Sequence, residues 1–85
     1  MSYNGFSNYE TWLVCLWIDS EEGSYHYWLE QAEGLTAGEL ADRLKDEHLE
    51  NLPVTSGIYC DLLTSALNTV DWLGAAEHIL EDVDT

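Results

Sequence analysis

Positive charge is almost missing from this chain. Arg43 and Lys45 are its only basic residues besides three histidines, against 17 Asp and Glu, for a formal charge of −15 at pH 7. That balance excludes direct nucleic-acid binding, because two cations cannot offset phosphate repulsion. Long apolar runs are missing too. The longest, Trp12 to Ile18, covers seven residues, far short of a membrane span. Met1-Ser2-Tyr3-Asn4-Gly5 lacks the basic start and apolar stretch of a secretory signal, so the expected location is the cytoplasm of a host cell. Cysteine is scarce: Cys15 and Cys60 are too few for a disulfide framework, and each sits among apolar residues as a reduced core thiol would. There is no phosphate-cradling glycine loop and no nucleophile motif. Catalysis, a cofactor and a metal are therefore not expected.

Aromatic residues are abundant. Four Trp, five Tyr and Phe6 in 85 residues supply the dense core that one small domain needs, and they set the chain apart from disordered acidic sequences. Helical spacing accounts for almost all of it, giving an all-α bundle of about five short helices in one domain, 1–85. Ser7-Asn8-Tyr9-Glu10 has the S-x-x-E form of a capping box and opens helix 1, over about residues 8–18. Its face of Tyr9, Trp12, Leu13, Leu16 and Trp17, backed by Val14, Cys15 and Ile18, predicts a central helix apolar nearly all round. Helix 2 runs to Glu33 and stops at Gly34, with Tyr25, Trp28, Leu29 and Ala32 inward. Thr36-Ala37-Gly38-Glu39 is a second capping box, opening helix 3, whose inner stripe is Ala37, Leu40, Ala41, Leu44 and His48. Asn51-Leu52-Pro53 closes it. Ser56 is the expected cap of helix 4, with Tyr59, Leu62, Leu63, Ala66, Leu67 and Val70 inward. Asp71 caps helix 5, with Trp72, Ala76, Ile79, Leu80 and Val83 inward.

The acids then fall into stripes: Glu22, Glu30 and Glu33 on helix 2; Glu39, Asp42, Asp46 and Glu50 on helix 3; Glu77, Glu81 and Asp84 on helix 5. Helix 4 exposes mainly Thr64, Ser65 and Asn68, with Asp61 its one acid. Carboxylates at i and i+4 stand roughly 6 Å apart along a helix, comparable to the spacing of phosphates along a DNA strand. Like charges at that spacing cost helix stability, and solubility needs a charge magnitude of only about 2 to 8. Such faces can imitate a nucleic-acid backbone to the basic groove of a DNA-binding host protein. Two other readings stand beside this one. A small helical interaction or oligomerisation module could carry its acid as a halophilic or generic solvated surface, using helix 4 as its contact. Glu22, His26 and Glu30 share a helical face on which a divalent ion could sit, and His78 with Asp82 is a similar pair. Asp19 to Glu30 has the length of a calcium loop but lacks its glycine at position six. Trp12, Trp17, Trp28 and Trp72 read as core, although one or two could instead line an exposed pocket that grips an apolar knob on a partner.

Asn8-Tyr9-Glu10-Thr11-Trp12, followed by Leu16-Trp17-Ile18-Asp19 and Glu22-Gly23, resembles a group of short proteins encoded by phages, plasmids and integrative elements. Val70-Asp71-Trp72 is similar to that group's segment before its last helix. The group has no settled activity. The resemblance implies a mobile-element setting, in which small acidic proteins block host DNA-handling enzymes. In size and acidity the chain is similar to uracil-DNA glycosylase inhibitors. The candidate targets are a uracil-DNA glycosylase, a restriction enzyme or a CRISPR effector.

Overall fold

A computed structural model describes residues 5–83, so Asp84 and the segment 1–4 lie outside the described residues. The fold is all-α: α1 (Tyr9–Ser20), α2 (Glu22–Ala32), α3 (Ala37–Glu50), α4 (Ile58–Thr69) and α5 (Trp72–Val83). Thr36 and Glu39 form the expected reciprocal capping box, which satisfies two otherwise orphaned N–H groups at the start of α3. Gly34 takes a positive φ of 80° just past α2, a backbone state that glycine enters without steric cost. Asp19 to Glu30 is almost wholly helical, and no calcium-type loop forms there.

One apolar core joins four of the helices. Cys15 and Ile18 of α1 meet Trp28 and Ala32 of α2, Leu40, Ala41 and Leu44 of α3, and Trp72, Ala75, Ala76 and Ile79 of α5, with Val70 from the preceding turn. The central helix is α5, which packs against α1, α2 and α3. Helix α1, expected to be central, also meets three helices, α2, α4 and α5, but it is not buried all round. Of its two apolar sides only one is buried: Thr11, Cys15 and Ile18 turn inward, while Tyr9, Leu16 and Trp17 are exposed. Thr11 and Cys15 are small enough to let α1 approach closely, whereas the aromatic face is too bulky to do so.

Helix α4 departs furthest from expectation. It buries no residue. Tyr59 is 71% exposed and Leu62 59%, with Leu63 and Ile58 also outside. Of the stripe expected to face inward, only Leu67 packs partly on the core, followed by buried Val70. The helix touches α1 and α3 on one side only, and nothing in the described chain is left to cover the other. Its N-cap is Gly57 rather than Ser56, without a side-chain cap bond. Cys60 is half-buried and free, its sulfur 4.0 Å from the Thr64 hydroxyl.

The motif residues near the start of α1 form a polar lock. Asn8, not Ser7, is the N-cap, accepting the Thr11 N–H at 2.9 Å. Its amide donates to the Thr69 carbonyl at 2.9 Å. The Thr11 hydroxyl, fully buried, donates to Asn8 Oδ1 at 2.6 Å and accepts the Asp71 N–H at 2.8 Å. Ser7 donates its hydroxyl to Asp71 at 2.7 Å. Asp71 in turn caps α5 through the Gly74 N–H at 3.0 Å. Residues 7–11 are thereby fastened to 69–74, across some sixty positions of chain.

Gly74 leaves room for this lock as it stands. A Cβ there would stand 2.6 Å from Asp71 Oδ2. Gly74→Ala should therefore destabilise by up to about 1 kcal/mol, a cap loss of about 1–2 kcal/mol offset in part by alanine's advantage of about 1 kcal/mol as a helix former. The Gly74 N–H, and then the Ser7 hydroxyl, hold the Asp71 carboxyl below its ordinary value. A lowered folded-state pKa contributes stability that is complete above the ordinary carboxylate range and is lost as pH falls through the lowered value. Urea unfolding should show the gap between variant and wild type in full at pH 7 and closing below about pH 4.

Candidate partner-binding site

Glu22, Glu30, Glu33, Glu39, Asp42, Asp46, Glu50, Glu77 and Glu81 are all exposed. The ion pairs between described residues are His26–Glu22 at 3.8 Å and His78–Asp19 at 2.8 Å, so neither involves the two strong cations. Arg43, which stands one turn after Glu39, donates instead to Gln31 at 2.6 Å. The Glu39 carboxyl is held below its ordinary value by the Thr36 N–H and hydroxyl, so it stays charged while it caps. Glu77 and Glu81 come together with Asp71 and His78 around a cleft of about 400 Å3.

The metal alternative fares differently. His78 pairs with Asp19 rather than Asp82, and the Tyr25 hydroxyl lies 3.4 Å from Asp82. Among the described residues no group of three or more His, Cys, Asp or Glu is gathered as a metal ion would need. Burial, with the charges of Asp19 and Asp71 adding to it, pushes the Cys15 thiol up to about 12. It is a packing residue, not a nucleophile.

A second feature is an apolar groove of about 520 Å3, with one of the four Trp residues, Trp28, in its lining. Leu13 and Val14 of α1 form one wall, and Leu63, Ala66 and Leu67 of α4 the other, with Trp28, His48 and Pro53 also lining it. His48 sits at the edge of the core, as expected, between Trp28 (ring centroids 5.9 Å apart, 14° between planes) and Trp72 (5.3 Å). Its Nδ1 is 2.7 Å from the Leu44 carbonyl. A carbonyl only accepts, so Nδ1 is the donor in this bond. Tyr27 donates to Glu47 at 2.6 Å, and that bond to a carboxylate raises the Tyr27 phenol above its ordinary value. Glu10 and Glu47 are the acids of the lining. Trp28 and Trp72 are core, as expected, while Trp17 is 60% exposed.

These features define an acidic five-helix bundle that pairs exposed carboxylate stripes with an apolar groove. The chain belongs to DUF7249, a family of unknown function, whose match covers residues 1–73. That span contains α1 to α4 and both halves of the polar lock up to Asp71. No curated protein and no solved structure matches the chain. No described helix is long and apolar enough to cross a membrane.

Proposed function

We propose that this chain is a non-enzymatic inhibitor that lays its acidic helix faces into the DNA-binding groove of a host DNA-processing or defence protein. The observation that carries the proposal is the exposure of all nine carboxylates named above, in a chain whose two cations neutralise none of them through an ion pair between described residues. Asp42, Asp46 and Glu50 repeat every fourth residue along α3, a rigid ladder of charge at roughly 6 Å steps. A rigid anion presented to a basic groove accelerates encounter by long-range attraction. Uracil-DNA glycosylase, restriction enzymes and CRISPR effectors all offer such grooves.

The test is affinity capture on the immobilised protein from bacterial lysate, followed by elution with duplex DNA. DNA-handling proteins should be retained and then released by the duplex. The same protein should slow uracil excision, restriction cleavage or CRISPR cleavage in a purified assay. Recovery of no DNA-binding protein at either about 50 or about 150 mM salt would count decisively against mimicry, since electrostatic binding is strongest at low ionic strength.

A further inference from the structure

The acidic faces leave one side of the molecule unexplained. Ile58, Tyr59, Leu62 and Leu63 of α4 and Leu16 and Trp17 of α1 are large, apolar and exposed. Leu63 also lines the groove between those two helices, beside Leu13, Val14, Ala66 and Leu67, and Trp17 shares an adjoining hollow with Leu13 and Val14. We infer that this face binds a second copy of the same chain, giving a two-fold dimer in which the α4 stripe of each copy seats in the groove of the other.

Three observations select that occupant. The first is area. At the observed exposures these six side chains present on the order of 600 Å2 of apolar surface. That stands at the upper end of the largest patch on a typical monomer, about 300–600 Å2, and approaches one partner's share of a standard interface, about 800 Å2. The second is charge. The site acids stand on α2, α3 and α5, while Glu10 and Glu47 are the only acids of the groove and Asp61 the only acid of α4. A basic partner would find little to pair with here. A second copy would meet a face that holds few acids beside its apolar side chains, and would keep the acidic stripes of α2, α3 and α5 outward. The third is shape. A two-fold interface must be self-complementary, and here an apolar ridge lies beside an apolar groove on one face. An α4 with no buried residue in the single chain then acquires the cover that its apolar stripe lacks.

The inference does not depend on the proposed function, and the two respond to salt in opposite directions. Added salt screens repulsion between two anionic copies and should tighten the dimer. The same salt should weaken an acid-to-base complex. Sedimentation equilibrium of the full chain at about 100 µM should give twice the 9.6 kDa chain mass, with dissociation at least roughly 30-fold easier in Leu62→Glu and in Tyr59→Glu. Asn68→Glu, on the polar side of α4, should leave the mass unchanged. Circular dichroism should show full helicity in all three variants, because these residues are exposed in the single chain. A wild-type mass of one chain at about 0.5 M salt overturns the inference. So does a dimer unaffected by both substitutions, or a mass that climbs without limit. Loss of helicity in both α4 variants would show that the stripe holds the single chain together, and would overturn it as well.

Discussion

Thr11→Val should cost about 2–4 kcal/mol of unfolding free energy, a large loss for a substitution that exchanges a hydroxyl for a methyl. Valine reproduces the shape of threonine, so packing around this fully buried position barely changes. What disappears is the atom that accepts the Asp71 N–H at 2.8 Å and donates to Asn8 at 2.6 Å. The Asp71 N–H then lacks its acceptor, which costs about 1–3 kcal/mol when the group is buried. The Asn8 cap loses one of its two bonds to residue 11, and N-cap contributions run at about 1 kcal/mol. A domain of this size has about 4–13 kcal/mol in total, and each kcal/mol moves Tm by about 4–8 °C. A fall of about 8–30 °C is therefore expected. Thr11→Ser keeps the hydroxyl and loses only a methyl, so it should cost about 1 kcal/mol. Equal urea midpoints for Thr11→Val and Thr11→Ser would show that the hydroxyl is not what fastens α1 to the α4–α5 junction.

The same lock shows what could and could not be read from the chain. Thr36 and Glu39 were legible because a capping box is local: donor and acceptor lie three residues apart. Asp71 was legible for the same reason. Ser7 satisfied the same pattern and was the wrong cap, because its hydroxyl is drawn to Asp71, 64 positions away, and Asn8 takes its place. His78 followed the same course, joining Asp19 across 59 positions rather than Asp82 one turn away. Local spacing counts only the partners within one helix.

Apolar periodicity has a related limit. On α3 it gave the buried face correctly, because Leu40, Ala41 and Leu44 stand opposite an acidic stripe that must stay in water. On α1 almost every position is apolar, and the choice of face fell to the small residues that allow close approach. On α4 the stripe is present, yet the fold leaves it uncovered. Periodicity shows that a face avoids water and not what covers it, so a Trp-lined pocket and a contact through helix 4 could be suggested, but their lining residues emerged only once α1 and α4 were placed side by side. The outward position of the acids was legible throughout, since burying any one of them without a partner would be prohibitive.

That outward position gives the most discriminating test of the proposed function: a four-site neutralisation of α3, Glu39→Gln, Asp42→Asn, Asp46→Asn and Glu50→Gln. Affinity for the captured host protein should fall by about 100-fold, taking roughly 0.5–1 kcal/mol for each exposed charge that meets a cation. Unfolding free energy should stay about level, because relief of the like charges at i and i+4 along Asp42, Asp46 and Glu50 offsets the charge lost from the Glu39 cap. Glutamine at position 39 can still reach back to the Thr36 N–H, since a capping box accepts either residue, so the start of α3 is preserved. The divergence is decisive. A substitution that damaged the scaffold would lower stability and binding together, and only a charged contact surface loses binding while the fold holds. Calorimetric titration against the captured protein, beside urea unfolding of the variant, reads both quantities. Affinity retained within about threefold would remove the α3 face from the interface. The outer stripes of α2 and α5, including Glu77 and Glu81 beside their cleft, would then be the only acidic faces left for such a groove.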